Sequence, residues 1–184
     1  QRITGLPTSQ IFASGTVLDS SRLRWLLSER VGVATSSVHA MIVGEHGDSE
    51  FPLWSQARIG PVPILEWALE NGHPLDAAEL ATIAEDVKTA AYRVIAGKGA
   101  TNFAIGLSGA RIVEAILRDE GRILPVSSVL DDYRGISGVA LSVPSVVDAR
   151  GVAQVIDVPY SVDEMRMLEA SAATLRSSLS SLGF

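Results

Sequence analysis

The chain has 184 residues, enough for one domain with a sizeable core, and its 47% hydrophobic and 20% charged residues are ordinary for a globular protein. Fifteen basic against 21 acidic residues leave a net charge of −6, which argues against nonspecific nucleic-acid binding through a basic surface. There are no cysteines, which excludes disulfides, thiolate metal sites and a Cys nucleophile and fits a cytoplasmic protein. The opening stretch, Gln1-Arg2-Ile3-Thr4-Gly5-Leu6-Pro7, shows no signal peptide, and no apolar run approaches the roughly 18 residues of a membrane helix. The chain does not start with Met, which fits a fragment, a processed product or a trimmed form. Residues 1–17 are short apolar pieces between turn residues. A helix is expected from Thr16 or Asp19, either of which can cap it, to about Arg30, with Gly32 as its stop. Leu23, Leu26, Leu27 and Val31 form its inner side. Asp19 and Arg22, three apart, share a face, whereas Arg24 lies about 200° beyond Arg22 at helical pitch.

Residues 38–43 read as a buried strand that leads to Val43-Gly44-Glu45-His46-Gly47-Asp48-Ser49. His39 and His46 are seven residues apart, on the order of 23 Å in an extended chain. They fall on opposite faces, so they should not share a site. Residues 51–63, with Pro52, Pro61 and Pro63, are irregular or extended. A short helix over 64–71 is stopped by Gly72 and Pro74. A long amphipathic helix over 76–96 uses Leu80, Ile83, Val87, Ala90 or Ala91, and Val94, and Gly97-Lys98-Gly99 breaks it. The next helix, 101–118, is apolar almost all round, which predicts burial on several sides. Strands are expected at 123–130, 138–143 and 154–158, with turns at Tyr133-Arg134-Gly135 and Ala149-Arg150-Gly151. A last helix starts at Ser161, where Ser161 and Glu164 form a capping box. Helices and strands do not alternate regularly. The fold class is therefore α+β, long helices on a mixed or antiparallel sheet, and residues 1–184 make a single domain.

Three groups suggest chemistry. His46, between two glycines at the mouth of a strand, can move a proton near neutral pH. Asp19 and Asp48 are carboxylates able to orient it. Arg22 offers a fork of donors that matches a carboxylate. Together they would suit reduction of a carbonyl beside a carboxylate. Taken one at a time, each has a plainer reading that outweighs the chemical one: His46 as a polar turn, Asp19 as an N-cap, Arg22 as a solvated charge and Asp48 as a turn residue. Gly97-Lys98-Gly99-Ala100-Thr101 lacks the spacing of a phosphate loop. Three scattered histidines and no His-Glu-x-x-His give no metal site, and no Gly-x-Ser-x-Gly elbow is present. His73 reads as an exposed loop residue.

Val17-Leu18-Asp19-Ser20-Ser21-Arg22-Leu23-Arg24, His39-Ala40-Met41-Ile42-Val43-Gly44-Glu45-His46-Gly47-Asp48, Lys98-Gly99-Ala100-Thr101 and Leu124-Pro125-Val126-Ser127 resemble, in order and spacing, the C-terminal half of the L-lactate dehydrogenases of the lactate/malate dehydrogenase family. The likeness covers nearly the whole chain and is strongest to the bacterial enzymes. It implies that His46 is the general acid/base and that Asp19 pairs with its imidazole and favours its charged form. Arg22 would bind the substrate carboxylate, Asp48 would belong to the His46 loop, Thr101 would line the substrate pocket, and Ile105 would lie near the nicotinamide. Arg24 and His39 stand where bacterial members activated by fructose 1,6-bisphosphate bind its phosphates at a subunit interface. The resemblance also implies a cytoplasmic, fermentative NAD-dependent enzyme that interconverts pyruvate and L-lactate, as a homotetramer. Its NAD-binding half is not in this chain: no Gly-x-Gly-x-x-Gly follows a strand. The chain alone is therefore expected to be inactive. Glu45, where malate dehydrogenases usually carry Gly, favours lactate. Malate or another 2-hydroxy acid is the alternative, and a catalytically silent assembly module a further one.

Overall fold

The computed structural model describes residues 3–71 and 75–183. The expected helix stop at Gly72 and Pro74, and His73, lie outside them. Among the described residues there are five α-helices: α1 (Val17–Val31), α2 (Ile64–Asn71), α3 (Ala77–Lys98), α4 (Phe103–Leu117) and α5 (Val162–Ser181). Eleven short strands lie among them: β1 (Phe12–Ala13), β2 (Val38–His39), β3 (Ile42–Val43), β4 (Phe51–Pro52), β5 (Arg58–Ile59), β6 (Val62–Pro63), β7 (Arg122–Leu124), β8 (Ser127–Val129), β9 (Ala140–Ser142), β10 (Ser145–Asp148) and β11 (Gly151–Val155). All ladders are antiparallel: β1-β8-β9, β11-β10-β7, β2-β5-β6 and the pair β3-β4. This is the α+β class expected, with no parallel pair among the described residues.

The helices pack on three patches of core. α1 turns Leu23, Leu27 and Val31 toward Leu80, Ile83 and Val87 of α3 and toward Val38 and Ile59 of the β2–β5 ladder. α5 sets Leu168 and Ala172 on Val43, Leu141 and Val143. α4 lays Ile112 and Ala115 on Val147 of β10 and Val126.

Capping follows the chemistry of the sequence. Asp76 accepts the Glu79 amide at the start of α3, and Ser161 and Glu164 cap α5 reciprocally. Gly32 and Gly99 end α1 and α3 in the left-handed region, at φ +70° and +82°. The break after α3 thus falls at Gly99, and the helix runs through Gly97 and Lys98.

Four expectations need correction. The strand expected at 154–158 is instead β11, Gly151–Val155, because the turn before it is tight enough for Gly151 to pair with Asp148 of β10. The strand expected at 38–43 is two strands in different ladders, because the chain switches partners at Ala40-Met41, where Met41 C=O accepts the Leu53 amide. The run 123–130 divides in the same way into β7 and β8, around Pro125, which has no N–H to give a ladder. Finally, α4 is not buried on several sides. Ser108, Ile112 and Ala115 are buried, whereas Phe103, Leu107, Val113 and Leu117 are 75%, 74%, 51% and 79% exposed.

Candidate active site

Two side chains of α1 fix that helix against the strand leading to His46. Ser20 Oγ accepts the Ile42 N–H at 2.9 Å, and Thr16 Oγ1 donates to the Ile42 carbonyl at 2.5 Å. Thr16 therefore spends its hydroxyl on β3 rather than on capping α1, and Asp19, lying between Thr16 and Ser20, is carried to the end of β3. Past β3, Gly44 exchanges backbone hydrogen bonds with Ser142 at 2.9 Å in each direction. Its φ of +96° suits glycine, and a Cβ there would come within 2.7 Å of Ser171 Oγ. Ser171, fully buried on α5, holds the loop from behind: its Oγ accepts from the Glu45 amide at 3.0 Å and donates to the Ser49 carbonyl at 2.8 Å. Ser49 Oγ donates to the Glu45 carboxylate. The Glu50 amide closes the turn on the Gly47 carbonyl at 3.2 Å.

This scaffold brings His46, Asp19 and Arg22 together. His46 Nδ1 lies 2.9 Å from Asp19 Oδ2, and Arg22 Nη1 donates to Asp19 Oδ1 at 3.0 Å. Asp19 is 2% exposed, so its charge is supported only by these partners. The His46 ring is 55% exposed, which leaves Nε2 on its open side. Sequence reasoning passed over a fourth group. Glu50, with a side chain only 5% exposed, sets Oε2 at 3.5 Å from the same Nδ1. Its one signal was its place four residues after His46, directly before an apolar strand.

Hydrogen bonding of His46 Nδ1–H to Asp19, then to Glu50, raises the His46 pKa to about 10 against the opposing effect of burial. Burial pushes the Glu50 carboxyl above its usual range, while the contact with His46 pulls the other way. Asp19, His46 and Glu50 offer three potential metal-ligating atoms within 4.8 Å of one another. The 2.9 Å between Nδ1 and Oδ2 is the length of a hydrogen bond. The set is built to hold a proton.

A cleft of about 190 Å³ opens at this group, with Asp48 and Gly47 at its rim and Lys88 and Tyr92 of α3 on its other wall. Thr101, half-buried in the α3–α4 connection, and Ile105, 38% exposed on α4, are not among the residues that line it.

Arg24 and His39 lie away from this group. Both line a cavity of about 880 Å³ between α1, β2 and α4, to which Arg111 and Arg122 also contribute. Arg111 and Arg122 are neutralised by Glu114 and Glu120. Arg24 donates to Ser21 Oγ at 3.2 Å and has no carboxylate in ion-pair range among the described residues. Burial lowers its pKa.

Residues 16–182 match the family of the lactate/malate dehydrogenase α/β C-terminal domain. Over all 184 residues the chain is 52% identical to an L-lactate dehydrogenase of Bifidobacterium animalis subsp. lactis, covering 58% of that protein. Over 181 residues it is 42% identical to an L-lactate dehydrogenase of Acetivibrio thermocellus, covering 98% of this chain and 57% of that protein. Among solved structures, a lactate dehydrogenase from a Medee basin deep-sea metagenome superposes with a TM-score of 0.96 at 35% identity, over all of this chain and 58% of the other. The minor L-lactate dehydrogenase of Enterococcus mundtii superposes at 0.93 with 40% identity, over 98% and 57%. The chain thus spans a little under three fifths of the length of these relatives.

Proposed function

Because the chain belongs to the lactate/malate dehydrogenase family, as its α/β C-terminal domain, we propose that it is the substrate-binding and proton-transferring part of an NAD-dependent L-lactate dehydrogenase. The observation that carries this reading is the division of one buried carboxylate between two jobs. Asp19 gives one oxygen to His46 and the other to Arg22. A proton donor and an anion clamp are thereby held in fixed relation, as a 2-oxo acid requires.

In this reading Arg22 receives the carboxylate of pyruvate, and His46 Nε2 faces the keto oxygen. NADH, when bound, supplies the hydride that adds to the keto carbon. As charge develops on the oxygen, the Nε2 proton passes to it, giving the hydroxyl of L-lactate and a neutral ring that keeps its Nδ1 proton on Asp19. The raised pKa of His46 suits the reductive direction, since the ring is charged before the reaction. In the oxidative direction the same ring, neutral, takes the hydroxyl proton.

This chain's share in holding NAD is small. It has no strand followed by Gly-x-Gly-x-x-Gly, and the residue we place near the nicotinamide is Ile105, 38% exposed on α4. We assign the dinucleotide site to a separate N-terminal domain, Thr101 to the substrate pocket as it closes, and the active form to a cytoplasmic homotetramer. Arg24 and His39 form the fructose 1,6-bisphosphate site. A half-buried guanidinium with no carboxylate in ion-pair range among the described residues, facing a cavity with a histidine, supports an anion there. Oxaloacetate is the second candidate substrate. Glu45 and the relatives named as L-lactate dehydrogenases favour pyruvate.

The test is NADH oxidation by the full-length protein on pyruvate and on oxaloacetate, with and without fructose 1,6-bisphosphate. Pyruvate is expected to turn over faster, the bisphosphate to raise the rate, and His46→Asn to abolish it. The 184-residue chain by itself should show no turnover. Preference for oxaloacetate would replace the substrate, and silence of the full-length protein on both would leave an assembly module.

A further inference from the structure

Asp19 has one negative charge, and two cations already draw on it: Arg22 through Oδ1 and His46 through Oδ2. By itself it cannot fully balance both. Glu50 is the second carboxylate in reach, and its position is costly. Its side chain is 5% exposed, and no cation other than His46 stands in ion-pair range of it among the described residues. A buried acid in that state is maintained only by a charged partner or by taking up a proton.

We infer that Glu50 is a second positioning residue for His46. From the buried side of the ring it shares the Nδ1 proton with Asp19, anchors the imidazole with Nε2 toward the cleft, and supplies the negative charge that makes the protonated ring the resting state. This deepens the proposed function and rests on it.

The charged and titratable groups beside Glu50 come from its own loop, where Glu45 is held by Ser49 Oγ, and from α1 and α3. Its own loop gives His46, and Asp48 at the cleft rim. α1 gives Asp19 and Arg22, and α3 gives Lys88 and Tyr92 across the cleft. With Asp19 and Glu50 ionised and Arg22 and His46 charged, the four inner groups sum to zero. When the Nε2 proton leaves for the keto oxygen, they carry one uncompensated negative charge. The exposed Nε2 then regains its proton from solvent, and Glu50 strengthens that return. Burial raises the proton affinity of Glu50 itself, so ring and acid titrate as a coupled set.

The experiment is 13Cε1-histidine NMR on the full-length protein, with His46 identified by loss of its signal in His46→Gln. It is paired with the pH profile of kcat/KM for pyruvate. In Glu50→Gln the His46 midpoint should fall by about one to three pH units, and the alkaline limb of the profile should move with it. Glu50→Asp, which keeps the charge on a shorter arm, should recover part of the shift. A Glu50→Gln protein that loses stability or rate with midpoint and limb unmoved would overturn the inference and leave Glu50 a structural residue. If the wild type reduces no 2-oxo acid and the midpoint still falls in Glu50→Gln, the coupling stands and the dehydrogenase reading fails.

Discussion

A carboxylate as deeply buried as Asp19 stays ionised only while its oxygens are engaged, and this makes His46 and Arg22 depend on it. Asp19→Asn keeps the shape and removes the charge, so the His46 midpoint should drop from about 10 toward its ordinary value, read by histidine NMR. The same change bears on stability. The folded pKa of His46 lies above an unfolded value of about 6.5, so its contribution is fully present below that pH and is lost as pH rises through about 10. The ring is more than half exposed, so solvent screens the effect and it should be modest. Melting temperatures of the wild type should decline over that window, and Asp19→Asn should flatten the decline. Arg22→Lys keeps the positive charge but loses the fork. KM for pyruvate in the full-length protein should rise about tenfold or more, with a smaller change in kcat. Unchanged constants would remove Arg22 from the carboxylate. His46, Asp19 and Arg22 could be read in the sequence because their pattern is local and resembles that of a known family. Glu50 could not: Ser49-Glu50-Phe51 reads as an ordinary polar entry to a strand. Only the turn from Gly47 to Glu50 brings its carboxyl back under the ring.

At the level of elements, the His46 loop owes its shape to a helix more than a hundred residues away in sequence. Ser171→Ala leaves the Glu45 amide without its acceptor in a half-buried site and should cost about 1–3 kcal/mol in denaturant unfolding. It should also lower kcat of the full-length protein more than it raises KM, because what loosens is the loop that carries the proton donor. Gly44→Ala should be worse on both counts, since a Cβ meets Ser171 Oγ at 2.7 Å and φ is +96°. Glycine-like behaviour in either measurement would mean that α5 does not set the loop. The helices were legible from their caps and periodicity, down to the Ser161–Glu164 box. The strands were less so. Most are two or three residues long, and runs such as 38–43 are apolar whichever ladder they serve, so periodicity cannot show where a chain changes sheet.

For the molecule as a whole, α4 is where sequence pattern and burial part company. Its apolar residues surround the helix, which ordinarily marks one buried on all sides. Within this chain one side is covered, by the β10 region. Phe103, Leu107, Val113 and Leu117 fall within about 120° of one another at helical pitch, on the side away from Ile112 and Ala115, and they form a continuous exposed strip. The expectation of burial on several sides therefore fails for α4, because an apolar pattern reports what a helix could bury and this chain covers only part of it. A strip of this kind is uncommon on a monomer surface and drives association. The 184-residue chain should accordingly sediment as species larger than a single chain at high micromolar concentration and bind a hydrophobic dye. Leu107→Glu with Leu117→Glu places two charges in the strip without touching the covered side. Its unfolding free energy should stay within about 0.5 kcal/mol per substitution, while sedimentation shifts to the single chain and dye binding falls. In the full-length protein the same pair should weaken assembly and, with it, pyruvate turnover, although His46, Asp19 and Arg22 are untouched. A wild-type chain that stays single, with no dye bound, would mean that α4 satisfies itself, and the loss of turnover would then need another cause.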